Sequence, residues 1–267
     1  VPLSFAFSTC PNDTFAFHAL VHGLVPGPAI EPHMDDIEAL NIRAQQGVAE
    51  ATKISLAAYL HLRDQYALLR AGGAAGFGVG PIVVSRTPGK VRGKVAIPGV
   101  TTTAALLLRL FGEFETVPMR FDQIEDAVLR GDADCGVLIH EGRFTYQEKG
   151  LVLLQDLGQF WEEKMRCPLP LAAIAIRRDM LDQAREFDSA LRASVDYAFA
   201  HPDASKEYVK LHAQEMDPTV AQRHIDLYVN GYTQALDESA VERFFEIAEA
   251  QGLCTKSSEP IFAGRTD

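Results

Sequence analysis

The sequence predicts an α/β protein of two lobes, one inserted into the other. Short apolar runs alternate with amphipathic stretches from the N-terminus to about residue 180, the pattern of open, mostly parallel sheets with helices on both faces. Beyond that point the pattern turns helical. No Ser/Gly/Pro-rich linker divides the chain head to tail, yet two extended stretches, GPIVVSR (80–86) and LAAIAIRRD (171–179), have the character of strands crossing between lobes. The expected division is a larger lobe of residues 1–83 plus 177–267 and an inserted smaller lobe of 84–176. A ligand cleft is expected between them, a favoured place for pockets.

The elements follow in order. LSFAFS (3–8) is a buried strand, and Cys10-Pro11-Asn12-Asp13 is a sharp turn in which Asn12 or Asp13 can cap the helix TFAFHALVHG. Gly23 is placed to stop that helix. Asp35 and Glu38 have capping-box spacing, so a second helix starts near Asp36. ATKIS (51–55) is a short strand, followed by a helix over LAAYLHLRDQY (56–66). Two extended stretches then surround a glycine-rich turn (66–86). KVAIPG (94–99) is a strand and TTTAALLLRLF (101–111) opens a helix; DQIEDAVLRG (122–131) is another helix, with capping-box spacing from Asp122 to Glu125. DCGVLIH (134–140) is a buried strand ending at His140. LVLLQDL, GQFWEEKM and LPLAAIAIRRD complete the alternation, and the helical tail runs through SALRASVDYAFAHP, SKEYVKLHAQ (205–214), PTVAQRHIDLYVNGY and ESAVERFFEIAEAQG.

Composition narrows the function. Of 267 residues, 47% are hydrophobic and 23% charged, enough apolar material for a real core. The net charge of −11 comes without a Lys/Arg cluster of the kind a phosphate backbone needs, so nucleic acid is not an expected partner. An anionic ligand must instead be attracted locally. No apolar run is long enough to span a bilayer, and the opening residues lack the basic n-region of a leader, so no membrane role and a cytoplasmic setting are expected. Cys10, Cys135, Cys167 and Cys254 form no CxxC and match no zinc spacing. Each reads as a small, buried or half-buried apolar residue.

Several strand-to-helix junctions collect polar residues. His140 ends an apolar strand, where open α/β sheets put their ligand crevices, and an imidazole is a competent base near neutral pH. On spacing alone the plainer reading is a strand-end histidine held by a hydrogen bond. HEGRF departs from HExxH at Phe144, which excludes a zinc helix. Thr101-Thr102-Thr103 lies between a strand and a helix N-terminus, where free N–H groups favour an anion; one of the three can simply be a cap. Lys53, Ile54 and Ser55 end another strand before a helix, a second place for an anion, with a cap at Ser55 and a solvated Lys53 as the plainer reading. Ser8 and Asn12 sit at a third such turn, capping or touching a ligand. The glycines from Gly72 to Gly80 lead into a strand, not a helix, so they mark close packing and not a dinucleotide fingerprint. Trp161 is read as a helix packing residue, with a cleft-lining role as the alternative, and His201, His212 and His224 as surface or packing residues.

Five segments occur in one order: SxCPNDTFxFxALVHG, TKISxAAY, GGAAGFGVGPIVV, IPGxTTTA and LIHEGRFTY, with AHP (200–202) and HIDLYVN (224–230) beyond them. Together they resemble the 1,4-dihydroxy-6-naphthoate synthases of the futalosine route to menaquinone. The resemblance implies a type II periplasmic-binding-protein-like fold and a lyase that converts cyclic dehypoxanthinylfutalosine to 1,4-dihydroxy-6-naphthoate without a cofactor. It implies that His140 is the base and that Lys53 to Ser55 and Thr102 with Thr103 contact a small anionic substrate. Two alternatives stay open: a solute-binding protein for a small carboxylate, and the chorismate dehydratase of the same pathway.

Overall fold

A computed structural model describes residues 1–213 and 217–264. The chain forms two compact units, Val1–Ala75 with Pro170–Asp267, and Gly76–Leu169. In the first unit the chain builds β1 (Leu3–Ser8), α1 (Pro11–Val21), β2 (Ile30–Asp35), α2 (Ile37–Gln45), β3 (Ala51–Ser55), α3 (Leu56–Tyr59), β4 (Tyr66–Leu68) and β5 (Ala74–Gly76). The second unit holds β6 (Ile82–Ser85), β7 (Lys94–Ile97), α4 (Thr103–Phe111), β8 (Glu115–Pro118), α5 (Ile124–Arg130), β9 (Cys135–Leu138), α6 (Gly142–Thr145), β10 (Val152–Asp156) and α7 (Leu157–Met165). The chain then returns through β11 (Leu169–Arg177) to α8 (Leu181–Ala200), α9 (Lys206–His212), α10 (Pro218–Tyr228), α11 (Gly231–Gln234) and α12 (Glu238–Ala250). The tail helix expected over 205–214 is α9, and its last expected residue, Gln214, lies outside the described residues.

The first sheet has the order β2-β1-β3-β11-β4, with β5 also on β11. β1 runs parallel to β2 and β3, but β11 is antiparallel to β3 and β4. The second sheet has the order β10-β6-β9-β7-β8; β7 is parallel to β8 and β9, and β6 is antiparallel to β9 and β10. The sheets are therefore mixed, where the alternation suggested mostly parallel ones. The antiparallel members are the strands next to the crossings, and hydrophobic alternation carries no sign of strand direction. Crossings fall at Ala75/Gly76 and Leu169/Pro170, where 84 and 176 had been expected. β6 finds its partners in the second sheet and β11 finds them in the first; each strand belongs to the sheet that completes its hydrogen bonds.

The first core forms where β1 meets α1 and α8. Phe5, Phe7, Phe17 and Phe187 are fully buried, with ring centroids 5.0 to 5.4 Å apart and mostly edge-on, the arrangement aromatic quadrupoles favour. α1 begins two to three residues earlier than the capping signals implied. Pro11 occupies its first position with φ preset for a helix, and the N-cap is Cys10 with no side-chain bond. Asn12 and Asp13 consequently fall inside the first turn. The helix expected over 56–66 stops as α3 at Tyr59, because Tyr66 enters β4. β2 and β8 are edge strands that tolerate Pro32 and Pro118 and show no apolar alternation. In the second unit Val84, Ala96, Ile124, Val128 and Leu138 form the core between the sheet and α5. Gly136 on β9 lets α5 lie directly on the strand: a Cβ there would come within 2.5 Å of Ile124 Cγ2.

Candidate functional site

In the first unit the polar residues gather around Asp13. Its Oδ2 accepts hydrogen bonds from the Ser8 backbone N–H at 3.2 Å and the Ser8 hydroxyl at 2.8 Å. Its Oδ1 accepts from Asn12 Nδ2 at 2.9 Å and from Lys53 Nζ at 2.8 Å. Lys53 also donates to the Gly72 carbonyl at 2.9 Å. Asp13 is 2% and Lys53 3% exposed, so the two charges form a buried, multiply hydrogen-bonded pair. The structure thus unites Ser8, Asn12 and Lys53, with Asp13 as the centre and the Lys53 ammonium engaged inside the protein. Asn12 Oδ1 in turn meets His224 Nε2 of α10 at 2.9 Å, and His224 is buried.

Ser55 is held differently. Its N–H donates to Asn41 Oδ1 at 2.9 Å, and Asn41 Nδ2 donates to its hydroxyl oxygen at 3.0 Å. A hydroxyl that accepts keeps its own proton to donate, so Ser55 has the chemistry to meet a carboxylate. Ile54 is fully buried and its side chain belongs to the core. Asn41, on α2, escaped the sequence reading. Its only signal was a polar residue on the buried face of an amphipathic helix, beside Leu40 and Ala44.

In the second unit Thr102, Thr103 and His140 come to one sheet edge. β7 and β9 are adjacent and parallel, with Val95 opposite Cys135 and Ala96 opposite Gly136, so their carboxyl ends lie side by side. The chain leaves β7 through Gly99 (φ +135°) and enters α4 at Thr103. The Thr102 hydroxyl donates to the Gly99 carbonyl at 2.9 Å and accepts from the Ala105 N–H at 3.2 Å, closing the turn as a cap. Both threonines are buried. Two residues beyond β9, His140 adopts φ +54°, a left-handed conformation that costs a non-glycine residue on the order of 1 kcal/mol. The Phe121 ring packs edge-on against the half-buried imidazole, centroids 4.9 Å apart. Beside Phe121, the Arg120 guanidinium holds the Asp122 carboxyl below its ordinary range.

The turn after His140 is anchored from two sides. Arg143 donates to Asp156 Oδ2 at 2.7 Å and to the Gly80 carbonyl, and Asp156 caps α7 through the Gly158 and Gln159 N–H groups. Lys149 pairs with Glu125 Oε2 from the first turn of α5. Glu125 had been legible only as half of a capping box with Asp122; the helix begins instead at Ile124 behind Gln123, without a side-chain cap. Trp161 is buried and donates its indole N–H to the Pro168 carbonyl at 3.3 Å, a packing role. Among the described residues no three His, Cys, Asp or Glu side chains are grouped to hold a metal ion. No helix among them is long and apolar enough to cross a membrane.

Two mixed sheets, one in a unit inserted into the other, with polar residues beyond the strand ends, are the architecture of the periplasmic-binding-protein class. The ligand-binding component of a Staphylococcus aureus ABC-type import system superposes with a TM-score of 0.72 at 12% identity, covering 99% of both chains. The periplasmic aliphatic sulphonate binding protein of Escherichia coli gives 0.65 at 11%, covering 97% of this chain and 90% of its own. At these identities only the fold is shared. The chain belongs to the menaquinone biosynthesis family, whose model matches residues 3–250, and is an enzyme of that pathway. It is 47% identical over 268 residues to the 1,4-dihydroxy-6-naphthoate synthase of Thermus thermophilus, covering 97% of this chain and 98% of that one. Against the synthase of the same name from Streptomyces coelicolor the identity is 45% over 265 residues, with 94% of each covered. The crystal structure of an Archaeoglobus fulgidus protein, 40% identical, superposes with a TM-score of 0.90 over 94% of this chain and 98% of that one.

Proposed function

We propose that this chain is a carbon–carbon lyase that converts cyclic dehypoxanthinylfutalosine to 1,4-dihydroxy-6-naphthoate, with His140 as general base. The observation that carries the reading is His140 itself, held in a left-handed backbone conformation at the sheet edge that also carries the N-terminus of α4. Strain of this kind is kept where the surroundings over-determine it, and such places are enriched in functional sites. The imidazole takes an acidic proton from carbon next to a carbonyl, and the electron pair left behind drives cleavage of a carbon–carbon bond with departure of the sugar-derived fragment. Base catalysis of this kind contributes on the order of a hundred- to ten-thousand-fold. Backbone N–H groups at the start of α4, at the same sheet edge as His140, are suited to an aryl carboxylate or a developing enolate. The product is aromatic, so the step runs downhill without a redox partner. A small anionic substrate and a cytoplasmic setting belong to the same reading.

The test is a product assay on purified protein with that substrate, comparing wild type with His140→Ala. Release of dihydroxynaphthoate by wild type, with a folded variant that binds but does not turn over, is the expected result. Near-wild-type turnover by the variant overturns the base role. Binding by wild type without conversion overturns the lyase reading and makes a binding protein the better description; dehydration of chorismate in its place makes the sister enzyme so.

A further inference from the structure

We infer that Glu125, tied to Lys149, is a positioning residue that acts through its fixed charge on His140; the inference rests on the base role proposed above. Glu125 is 7% exposed, in the first turn of α5, which Gly136 seats directly on β9, the strand that leads to His140. One carboxylate oxygen, Oε2, receives the Lys149 ammonium. The other, Oε1, is buried and has no hydrogen-bond partner among the described residues. It lies against Gly142, 3.6 Å from where a Cβ on that residue would sit, and Gly142 is the second residue after His140.

A half-satisfied buried carboxylate is a poor device for stability, since an apolar side chain of similar volume is as good or better there. Its placement has a different consequence. A negative charge is fixed beside the His140 turn, in a setting of reduced dielectric, where it favours the imidazolium formed as the base takes its proton. Lys149 moderates that charge through Oε2. The other charged groups around the turn are Glu141, the Arg120–Asp122 pair next to Phe121, and Arg143, which is directed to Asp156 and the Gly80 carbonyl. Asp126 neighbours Glu125 on α5 and Tyr146 follows α6.

The inference predicts opposite signatures for the two partners. In the full-length protein, Glu125→Gln removes the charge but keeps the shape. It is expected to lower kcat about tenfold with KM within about twofold, and to move the acid limb of the kcat/KM profile to lower pH. Lys149→Met leaves the charge unmoderated and moves that limb to higher pH. Glu125→Asp is expected to return the limb toward wild type. If both partners' variants keep the wild-type limb while His140→Ala is inactive, the inference fails and the base role stands. A loss of kcat with no movement of the limb in either variant marks a structural role and also overturns it. If His140→Ala retains turnover, the base role itself has failed. Should Glu125→Gln not fold, the direction of the Lys149→Met limb decides.

Discussion

Lys53→Met tests what holds the first unit's polar cluster together. The ammonium sits 2.8 Å from Asp13 Oδ1, and the two side chains are only 4% and 3% exposed. Methionine removes the ammonium, leaves Asp13 charged in a buried site, and takes a donor from the Gly72 carbonyl. Three of the four hydrogen bonds on Asp13 remain, from the Ser8 N–H and hydroxyl and from Asn12, so the carboxylate is not stranded entirely. Removing one partner of such a pair typically costs about 3–5 kcal/mol. For a chain of this size that corresponds to a fall in Tm of roughly 6–20 °C. The assay is urea and thermal unfolding at neutral pH for Lys53→Met, Asp13→Asn and the double variant. The double variant leaves no unpaired buried charge, so it is expected to be more stable than Lys53→Met, with a coupling of about 2–3 kcal/mol. A loss below about 1 kcal/mol in Lys53→Met, or a double variant no better than the single, refutes the reasoning. A small stability change joined to a large rise in KM would return Lys53 to the direct ligand contact expected from the sequence.

Two further expectations rest on packing and burial. In Gly80→Ala the new Cβ would meet Gly158 Cα at 2.2 Å and its N at 2.4 Å, backbone that cannot swing aside. The expected cost is about 3 kcal/mol by chemical denaturation, whereas Gly231→Ala, with nothing within 4 Å, should stay within about 0.5 kcal/mol; equal effects would contradict the close approach. Burial pushes both Tyr59 and Tyr208 from 10.0 up to about 12. Their folded-state values lie above the unfolded one, so the stability they contribute is complete below pH 10 and is lost as pH rises toward about 12. Absorbance titration of the folded protein at the phenolate band should show a late component near pH 12 that Tyr59→Phe and Tyr208→Phe each diminish, and absence of that component would sink the claim.

How much of this was legible beforehand depends on the range of the interaction. Thr102 as a cap, the helix beginning near Asp36 and the strand that delivers His140 to a sheet edge are local matters, decided by apolar period and by hydroxyl or carboxylate groups within three residues of an N–H. Asn12 and Asp13 show the limit of local signals. Both are good capping residues, but Pro11 opens the helix first, and their side chains turn to partners 40 and 212 positions away, Lys53 and His224. Asn41 and Glu125 were missed for a related reason. A polar residue on a helix's inward face carries no mark of whether it meets a partner, and theirs, Ser55 and Lys149, are 14 and 24 residues distant.

The sequence by itself determined the class of fold, the strand-to-helix junctions that bear the polar residues, and, through five ordered segments, the family. Backbone preference and hydrophobic period act within a few residues, and they set those features. Only the tertiary structure decided which strands run antiparallel, where the chain crosses between units, and that the Lys53 ammonium closes on Asp13. Those outcomes depend on which distant groups can satisfy a buried hydrogen bond or charge, and that is settled only when the chain has brought them together.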